Sequence, residues 1–456
     1  MSFIVFEELF EIPLRNGLTK PKRIRGEGYK MVNMGELFAY PRINNLVMDR
    51  APLNEKEKES SLLKTGDLLF ARQSLVREGA GQCSIFLNDQ EEVCFESHLI
   101  RCRLKQDIAN PTFYFYFFSS CLGKKIINTI VEQGAGAAGI RGSDLAKLIV
   151  PKPSIVIQER IAKILSDLDD KIHLNNQINQ TLESIAQAIF KSWFIDFEPV
   201  RAKIAAKQEG SDPELAAMCA ISGKSEAELD QLTKEDFAEL QATAALFPDE
   251  LVESELGEVP RGWELQQLKD IAKYSSNKIL LNDLNLENYI STENMLPEKK
   301  GIEKASSLPK ANSVPAFRQG NILVSNIRPY FKKIWFSFFD GGHSNDVLNF
   351  DVLEKGTEEY LYNLIYQDSF FDRMMASSKG SKMPRGDKKA IMDFQIVTSS
   401  VALRKLYSEK VRKFYSKQNS IKIENQILIN LRDALLPKLL SGELDVSGLQ
   451  GEGIDG

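Results

Sequence analysis

Two copies of one series of short signatures, in the same order and about 250 residues apart, constrain this chain more than any other feature. The spacing of Phe6, Leu9 and Ile12 returns as Leu265, Leu268 and Ile271, and the run GDLLF at 66–70 returns as GNILV at 320–324. Arg141-Gly142, at the end of a Gly-rich loop, returns as Arg385-Gly386, and Asn176-Gln177-Ile178 with Leu182 returns as Asn425-Gln426-Ile427 with Leu431. The offsets drift among 259, 254, 244 and 249 positions, the signature of two diverged copies with small insertions and deletions. Each copy is domain-sized, so the chain is a tandem duplication and not a solenoid of short repeats. It presents two similar working surfaces.

At 456 residues, 43% hydrophobic and 27% charged, the chain has the composition of a soluble globular protein of two or three domains. Met1 to Phe10 carries Glu7 and Glu8 where a secretory leader would be basic, and no apolar run reaches the length of a membrane span, so the cytoplasm is the expected location. Cys83, Cys94, Cys102, Cys121 and Cys219 form no CxxC pair and have no histidine at ligand spacing; buried reduced thiols are expected, and no metal site. The net charge of -5 hides an uneven distribution: Glu209 to Glu258 holds 14 carboxylates against Lys224 and Lys234. Basic clusters at Lys20–Arg25, Arg328–Lys333 and Lys379–Lys389 lie inside the repeats, and their presence in both copies points to a nucleic acid.

Residues 1–153 read as a domain of short strands and turns, with strands near Asp67–Ala71, Cys83–Leu87 and His98–Leu104 and a helix from about Thr112 to Glu132. A long helix is expected over 154–197. Ile161, Leu168, Asn175, Leu182 and Ile189 form one seven-residue track and Ile164, Ile178 and Ile185 the other, with Lys171 and Ser192 as imperfections. Asn175 in such a seam fixes register at some cost in stability. Residues 198–258 read as an acidic, partly helical connector with a solvated surface. The second copy occupies 259–398, a second long helix with Tyr407, Phe414, Ile421, Leu428 and Leu435 spaced by seven occupies 399–442, and 443–456 is expected to be a flexible tail. Antiparallel packing of the two helices is the economical arrangement.

The run Gly134-Ala135-Gly136-Ala137-Ala138-Gly139 fits GxGxxG, but helical residues precede it and strand-like Leu145–Val150 follow, the reverse of a dinucleotide site. Gly223-Lys224-Ser225 lacks the first glycine of a P-loop, whose place is taken by Met218. His98, His173 and His343 are scattered, no GxSxG elbow exists, and no Pro-Pro dipeptide of an amino-group DNA methyltransferase is present. No catalytic constellation is therefore expected, and the chain reads as a recognition protein. The arginines that follow the Gly-rich loops suit a phosphate or a guanine edge; the alternative is a loop that caps the preceding helix. Tyr330, Phe331 and Trp335 beside Arg328, Lys332 and Lys333 fit either a groove lining or a strand core.

The repeat, the paired heptads and four stretches together resemble the specificity subunits of type I restriction-modification systems. The stretches are PKPSIVIQERIAKILSDLDDKI at 151–172, IFKSWFIDFEP at 189–199, ELGEVPRGWE at 255–264 and LLPKLLSGEL at 435–444, and with the repeat they cover essentially the whole chain. The second copy departs from the first in having Pro384 before its arginine and Thr398-Ser399-Ser400 where Pro151-Lys152-Pro153 stood, which loosens residue-level carry-over.

The resemblance implies an α+β fold: two similar target recognition domains joined by two long helices packed as an antiparallel coiled coil with pseudo-two-fold symmetry. It implies a non-catalytic DNA-specificity subunit that recognises a bipartite double-stranded DNA site, with two methyltransferase subunits and translocase-nuclease subunits as partners. S-adenosylmethionine, ATP and Mg would belong to those partners, and no cofactor to this chain. The expected DNA contacts are Lys20, Arg23, Arg72, Arg141, Arg328, Lys332, Lys382 and Arg385. The expected partner contacts are Ile161, Leu168, Ile185, Trp193, Phe414, Leu428 and Leu435. A coiled-coil scaffold with two protein-binding heads is the alternative, separable by salt dependence, since a phosphate-binding surface loses affinity steeply with salt.

Overall fold

A computed structural model describes residues 2–446 except Ala135 and Ser381, together with Gly448; the side chain of Lys22 and the rest of the expected tail lie outside the described residues. Two compact units divide the chain, one of residues 1–175 with 423–456 and the other of residues 176–422, so each takes in part of both long helices.

The first unit is built on a five-stranded sheet in the order Phe10–Asn16, Leu99–Leu104, Leu68–Ala71, Cys83–Asn88, Arg42–Asn44. The GDLLF run supplies the central strand. All four of its residues are buried, Leu68 and Phe70 in one apolar cluster with Phe6, Tyr114 and Phe118, and Leu69 and Ala71 in another with Val32, Ile43 and Phe95. A strand covered on both faces reads as an unbroken apolar run, which is why it showed no alternation. Gly66 takes φ +90° in the turn before it, and buried Asp67 accepts the Lys64 N–H at 2.8 Å and the Arg103 guanidinium at 2.6 Å.

The second unit repeats that device. Gly320 has φ +87°, Asn321 accepts the Arg318 N–H at 2.9 Å, and Ile322–Ser325 is central in the sheet Ala272–Tyr274, Val347–Val352, Ile322–Ser325, Ile334–Phe336. Ile322 and Val324 face one cluster and Leu323 another. Chemistry thus accounts for the repeat: Gly supplies the left-handed turn, Asp or Asn ties it, and the next residues are all core.

The single helix expected over Thr112–Glu132 is two, Pro111–Ser119 and Cys121–Asn128, because Ser120 adopts an extended backbone and its hydroxyl accepts the Gly123 N–H, starting a new helix. Leu145–Val150, read as strand-like, begins in the last two residues of a short helix, Gly142–Ala146, and becomes strand only from Ile149, in Ile149–Lys152. Of the five thiols expected to be buried, Cys83, Cys94 and Cys102 are, whereas Cys121 is exposed and Cys219 intermediate. Burial pushes the Cys94 thiol up to about 11.

Both long helices form, Ile155–Phe194 and Val401–Ser441. In each unit the segments run antiparallel: in the first, Asn175 donates to Asn425 at 2.8 Å and Asp169 accepts from Arg432 at 2.8 Å; in the second, Gln418 donates to the Asn179 carbonyl and Tyr407 to that of Ala186. Asn175 is buried, as its seam position required. The second track on the first helix is one residue away from the one expected. Leu165, Ala186 and Trp193 are buried, whereas Ile164 is only part-buried and Ile185 is 40% exposed. On the second helix, the inward series Arg404, Val411, Gln418, Asn425, Arg432, Leu439 runs beside the expected one and is polar at four of six positions. Three of the polar members meet a polar partner, Gln418 at Glu183, Asn425 at Asn175 and Arg432 at Asp169, whereas Arg404 lies over the Tyr360 ring with its Nε buried and unbonded.

The stretch 198–258 holds four helices, Glu198–Glu209, Pro213–Ser222, Glu226–Leu229 and Lys234–Ala244, around a small core of Ala217, Met218, Leu229 and Ala244. Its outer face carries the acidic residues, while Lys203 is buried between Glu214 and the Phe247 carbonyl. At the tail, Val446 is buried in the first unit and its carbonyl accepts from Arg160.

Candidate nucleic-acid interface

In the first unit the central strand continues past Ala71 as Gln73–Ser74, which pairs with Ala138–Gly139, which pairs in turn with Glu132–Gln133. The last two of these short strands flank the Gly-rich segment as a β-hairpin, joined by Gly134 N–H to the Ala137 carbonyl at 2.9 Å, and among the described residues none of the segment bonds to the end of the preceding helix. Arg141 follows as the N-cap residue of Gly142–Ala146. Its guanidinium meets Glu132 at 2.8 Å, with both side chains more than half exposed.

In the second unit the loop after Ala376 folds onto the same extension of the central strand. Arg385 bridges Ile327 on one side and Lys379 on the other, and the Arg328 N–H donates to the Pro384 carbonyl at 2.8 Å. Arg328 and Lys332, which flank the turn Pro329–Phe331, both take left-handed backbones, φ 50° and 49°, a conformation that costs non-glycine residues energy and is held by the surrounding contacts.

Counting from the central strands, Gln73 and Ile327 occupy the same step, so their bridge partners Gly139 and Arg385 correspond. Likewise Arg141 and Asp387 are both N-caps of the following short helix. Arg141 and Arg385, paired by sequence, are thus two residues out of structural register. The Pro384 departure noted in the sequence marks this shift.

The eight expected contacts fall into distinct states. Lys20 sits 2.8 Å from both Glu57 oxygens with its side chain 10% exposed, so its charge is consumed inside the domain. Arg385 pairs Asp346 at 3.1 Å and stays 54% exposed. Lys332 shares Asp368 with Lys299, and the bond to Asp368 raises its pKa. Arg23 and Lys382 are exposed and have no ion-pair partner among the described residues; Arg72 and Arg328 are half-buried without one, and the Arg328 Nε is buried and unbonded. Exposed ion pairs are worth about 1 kcal/mol or less, so Arg141 and Arg385 can trade a carboxylate for a phosphate or base edge at little cost, as Lys20 cannot.

Several residues on these surfaces escaped the sequence reading. Arg77 binds the Asn128 side chain and carbonyl, and Leu75 and Val76 stand exposed at the end of Gln73–Ser74. Their only signal was position, directly after the central-strand run. His343 is buried, which lowers its pKa, and among the described residues no group of three or more His, Cys, Asp and Glu could hold a metal ion. No helix of the described residues is long and apolar enough to cross a membrane.

The expected partner contacts also separate. Ile161 and Trp193 are buried in the cores of their own units, Trp193 edge-on to Phe247 with ring centroids 5.3 Å apart; Leu168, Phe414, Leu428 and Leu435 are half-buried, and Ile185 is exposed. A different series faces outward: Leu174, Ile423, Ile427 and Leu431 are 44–61% exposed. Leu174, Ile178 and Leu182 on the first helix match Ile423, Ile427 and Leu431 on the second at the repeat offset of 249. Both series step by four, one helical stripe.

The sequence model of the type I restriction modification DNA specificity domain matches residues 3–184. The type I restriction enzyme HindI specificity subunit of Haemophilus influenzae is 31% identical over 415 residues, 84% of this chain and 87% of that protein. The MjaIX specificity subunit of Methanocaldococcus jannaschii is 24% identical over 361 residues, covering 76% and 71%. A crystal structure of the type I restriction-modification S subunit from M. genitalium shares the fold, with a TM-score of 0.53 at 14% identity over 96% of this chain and 95% of that one. With a duplicated α+β unit, paired long helices and a relative of this similarity along most of its length, the chain belongs to the specificity subunits of type I restriction-modification systems.

Proposed function

We propose that this chain reads a bipartite double-stranded DNA site, one part with each α+β domain, and docks two methyltransferase subunits on the exposed apolar residues of its long helices. The observation that carries the reading is the repeated interface. In both units a loop bridges the extension of the central strand and brings arginine to an exposed edge, Arg141 beside the hairpin in one and Arg385 within the bridge in the other. Arg72, Arg23, Arg328 and Lys382 add unneutralised charge, and Lys332 stands beside Arg328. Such cations supply phosphate affinity, and bidentate arginine supplies base choice.

Docking rests on the exposed apolar residues Leu174 on the first long helix and Ile423, Ile427 and Leu431 on the second; Ile178 and Leu182, at the positions matching Ile427 and Leu431, are half-buried. Isolated apolar residues on a surface need no explanation, but three exposed at one four-residue spacing on the second helix, the first of them matched by exposed Leu174 on the first helix, do. Translocase-nuclease subunits complete the assembly; S-adenosylmethionine, ATP and Mg belong to the partners, and the complex works on cytoplasmic DNA.

Replacing residues 1–153 by the matching domain of a relative tests the reading through the methylated motif of a host carrying the system. One half of the motif changes and the other stays; a hybrid that alters both or neither overturns modular recognition. Ile427→Asp should abolish co-purification of methyltransferase while leaving the free chain folded, and retained assembly would remove the stripe from the interface.

A further inference from the structure

The loop after the first domain's central strand ends in the most exposed large aliphatic residue of the interface: Leu75 is 87% and Val76 59% exposed. They are not on a slack loop. Gln73–Ser74 is paired to Ala138–Gly139 just before them, the Ser74 hydroxyl accepts the Val76 N–H at 3.2 Å, and the Val76 carbonyl accepts the Gly79 N–H at 3.2 Å. Arg77 then anchors on Asn128, with Nε to Oδ1 at 2.9 Å. The backbone is fixed and two aliphatic side chains are held out in water.

The surroundings define what can cover them. Arg77 is bonded to an uncharged amide, so its charge is not neutralised there; Lys124 and Lys125, exposed on the helix Cys121–Asn128 that ends at that amide, carry no ion pair among the described residues; and Arg72 lies just before the loop. The second domain places Tyr330 and Phe331, 48% and 37% exposed, at the steps matching Val76 and Arg77, again beside Arg328 and Lys332. Leu75 itself matches Pro329, which is buried, so the apolar tip of the second domain begins one step later. A rigid apolar tip set among cations just past the central strand fits a polyanion that offers an apolar group at its base edges.

Building on the DNA-reading role proposed above, we propose that Leu75 is a specificity-determining residue that packs on the 5-methyl group of a thymine in the half-site read by the first domain. An aliphatic side chain can neither stack on a base as an aromatic does nor bond to its polar edge, and the thymine methyl is the apolar group that the major-groove edges display.

The test uses the assembled complex with its methyltransferase subunits and the motif found by methylation profiling. Each thymine of the first half-site is replaced in turn by deoxyuridine, which lacks only the methyl group. One replacement should weaken wild-type binding about fourfold, the factor that burial of one methyl supplies. Leu75→Ser should bind the unmodified site about tenfold more weakly, should be indifferent to that deoxyuridine, and should keep the wild-type salt slope and non-specific affinity. Leu75→Met, which restores an apolar tip, should recover most of the loss.

The inference is overturned by a first half-site without thymine, by wild-type indifference to every deoxyuridine, by equal sensitivity of Leu75→Ser, or by a loss that extends to non-specific DNA. A rise in fluorescence of 2-aminopurine beside the contacted step would mean that Leu75 wedges between bases, and would also overturn it. A wild-type complex with no preference for its methylated motif sinks the DNA-reading role itself, and that result is visible before any deoxyuridine is introduced.

Discussion

Replacing Lys20 with alanine separates a structural cation from a DNA contact. The ammonium lies 2.8 Å from both oxygens of Glu57, with side chains 10% and 25% exposed. At an effective dielectric of about 20, that separation corresponds to a gross attraction of about 6 kcal/mol, most of which is offset by the cost of withdrawing both ions from water. Deleting the lysine leaves a carboxylate that still accepts the Asn54 N–H at 2.9 Å and keeps some solvent, so the loss falls below the roughly 3–5 kcal/mol of a fully buried broken pair, at about 2 kcal/mol. Urea unfolding of the full chain should show that loss, and a Lys20→Ala/Glu57→Ala cycle should return a coupling of the same sign. DNA affinity of the folded variant should keep its salt slope. The Lys20 bond also holds the Glu57 pKa below its usual value, with the Asn54 N–H assisting. A depressed folded pKa means that the stabilisation is present above the unfolded value near 4.3 and fades as pH falls through the folded one. The Lys20→Ala deficit should therefore shrink below about pH 4. A salt slope lowered by about one with unchanged stability would refute this reasoning and return Lys20 to the phosphate contacts.

Two further outcomes probe the fold. Trp193→Ala should destabilise the second unit by about 3–5 kcal/mol, because the ring is buried against Phe247, Phe194 and Tyr407, whereas Ile185→Ala should change stability by no more than about 0.5 kcal/mol; denaturant titration distinguishes the two. Gly341→Ala should cost about 1–3 kcal/mol, since a Cβ there would stand 2.1 Å from the Asn288 carbonyl oxygen and 2.7 Å from the Phe317 ring, and thermal unfolding should report it.

The duplication, the central strands and both long helices were legible because each depends on local chemistry repeated in order. The turn glycines, the tying Asp67 or Asn321 and the apolar runs after them appear as letters. The second track of the seam did not. Gln418, Asn425 and Arg432 face inward because Glu183, Asn175 and Asp169 meet them, and hydrophobic periodicity cannot register a buried position filled by paired polar groups. The same blindness let Lys20 pass as a surface cation, since its partner Glu57 is 37 residues away. Arg141 and Arg385 were equated because both precede glycine, while strand register, a long-range property, sets them two steps apart. The small core of 198–258 was masked by the carboxylates on its outer face.

The placement of Leu439, Leu440 and Val446 in the same apolar cluster as Phe6, Leu68 and Leu165 sets the order in which the protein can be finished during synthesis. The amino-terminal domain leaves the ribosome first, yet its core stays open until residues 439–446 have been made and have returned across the intervening chain. Until then Ile161 and Leu165 present uncovered apolar surface, the condition under which partly made chains associate wrongly. A messenger cut short before residue 423 therefore yields a product whose first domain is incomplete, not one that lacks only a terminal helix, and truncated chains should be drawn to chaperones and proteases before they can reach DNA or a partner.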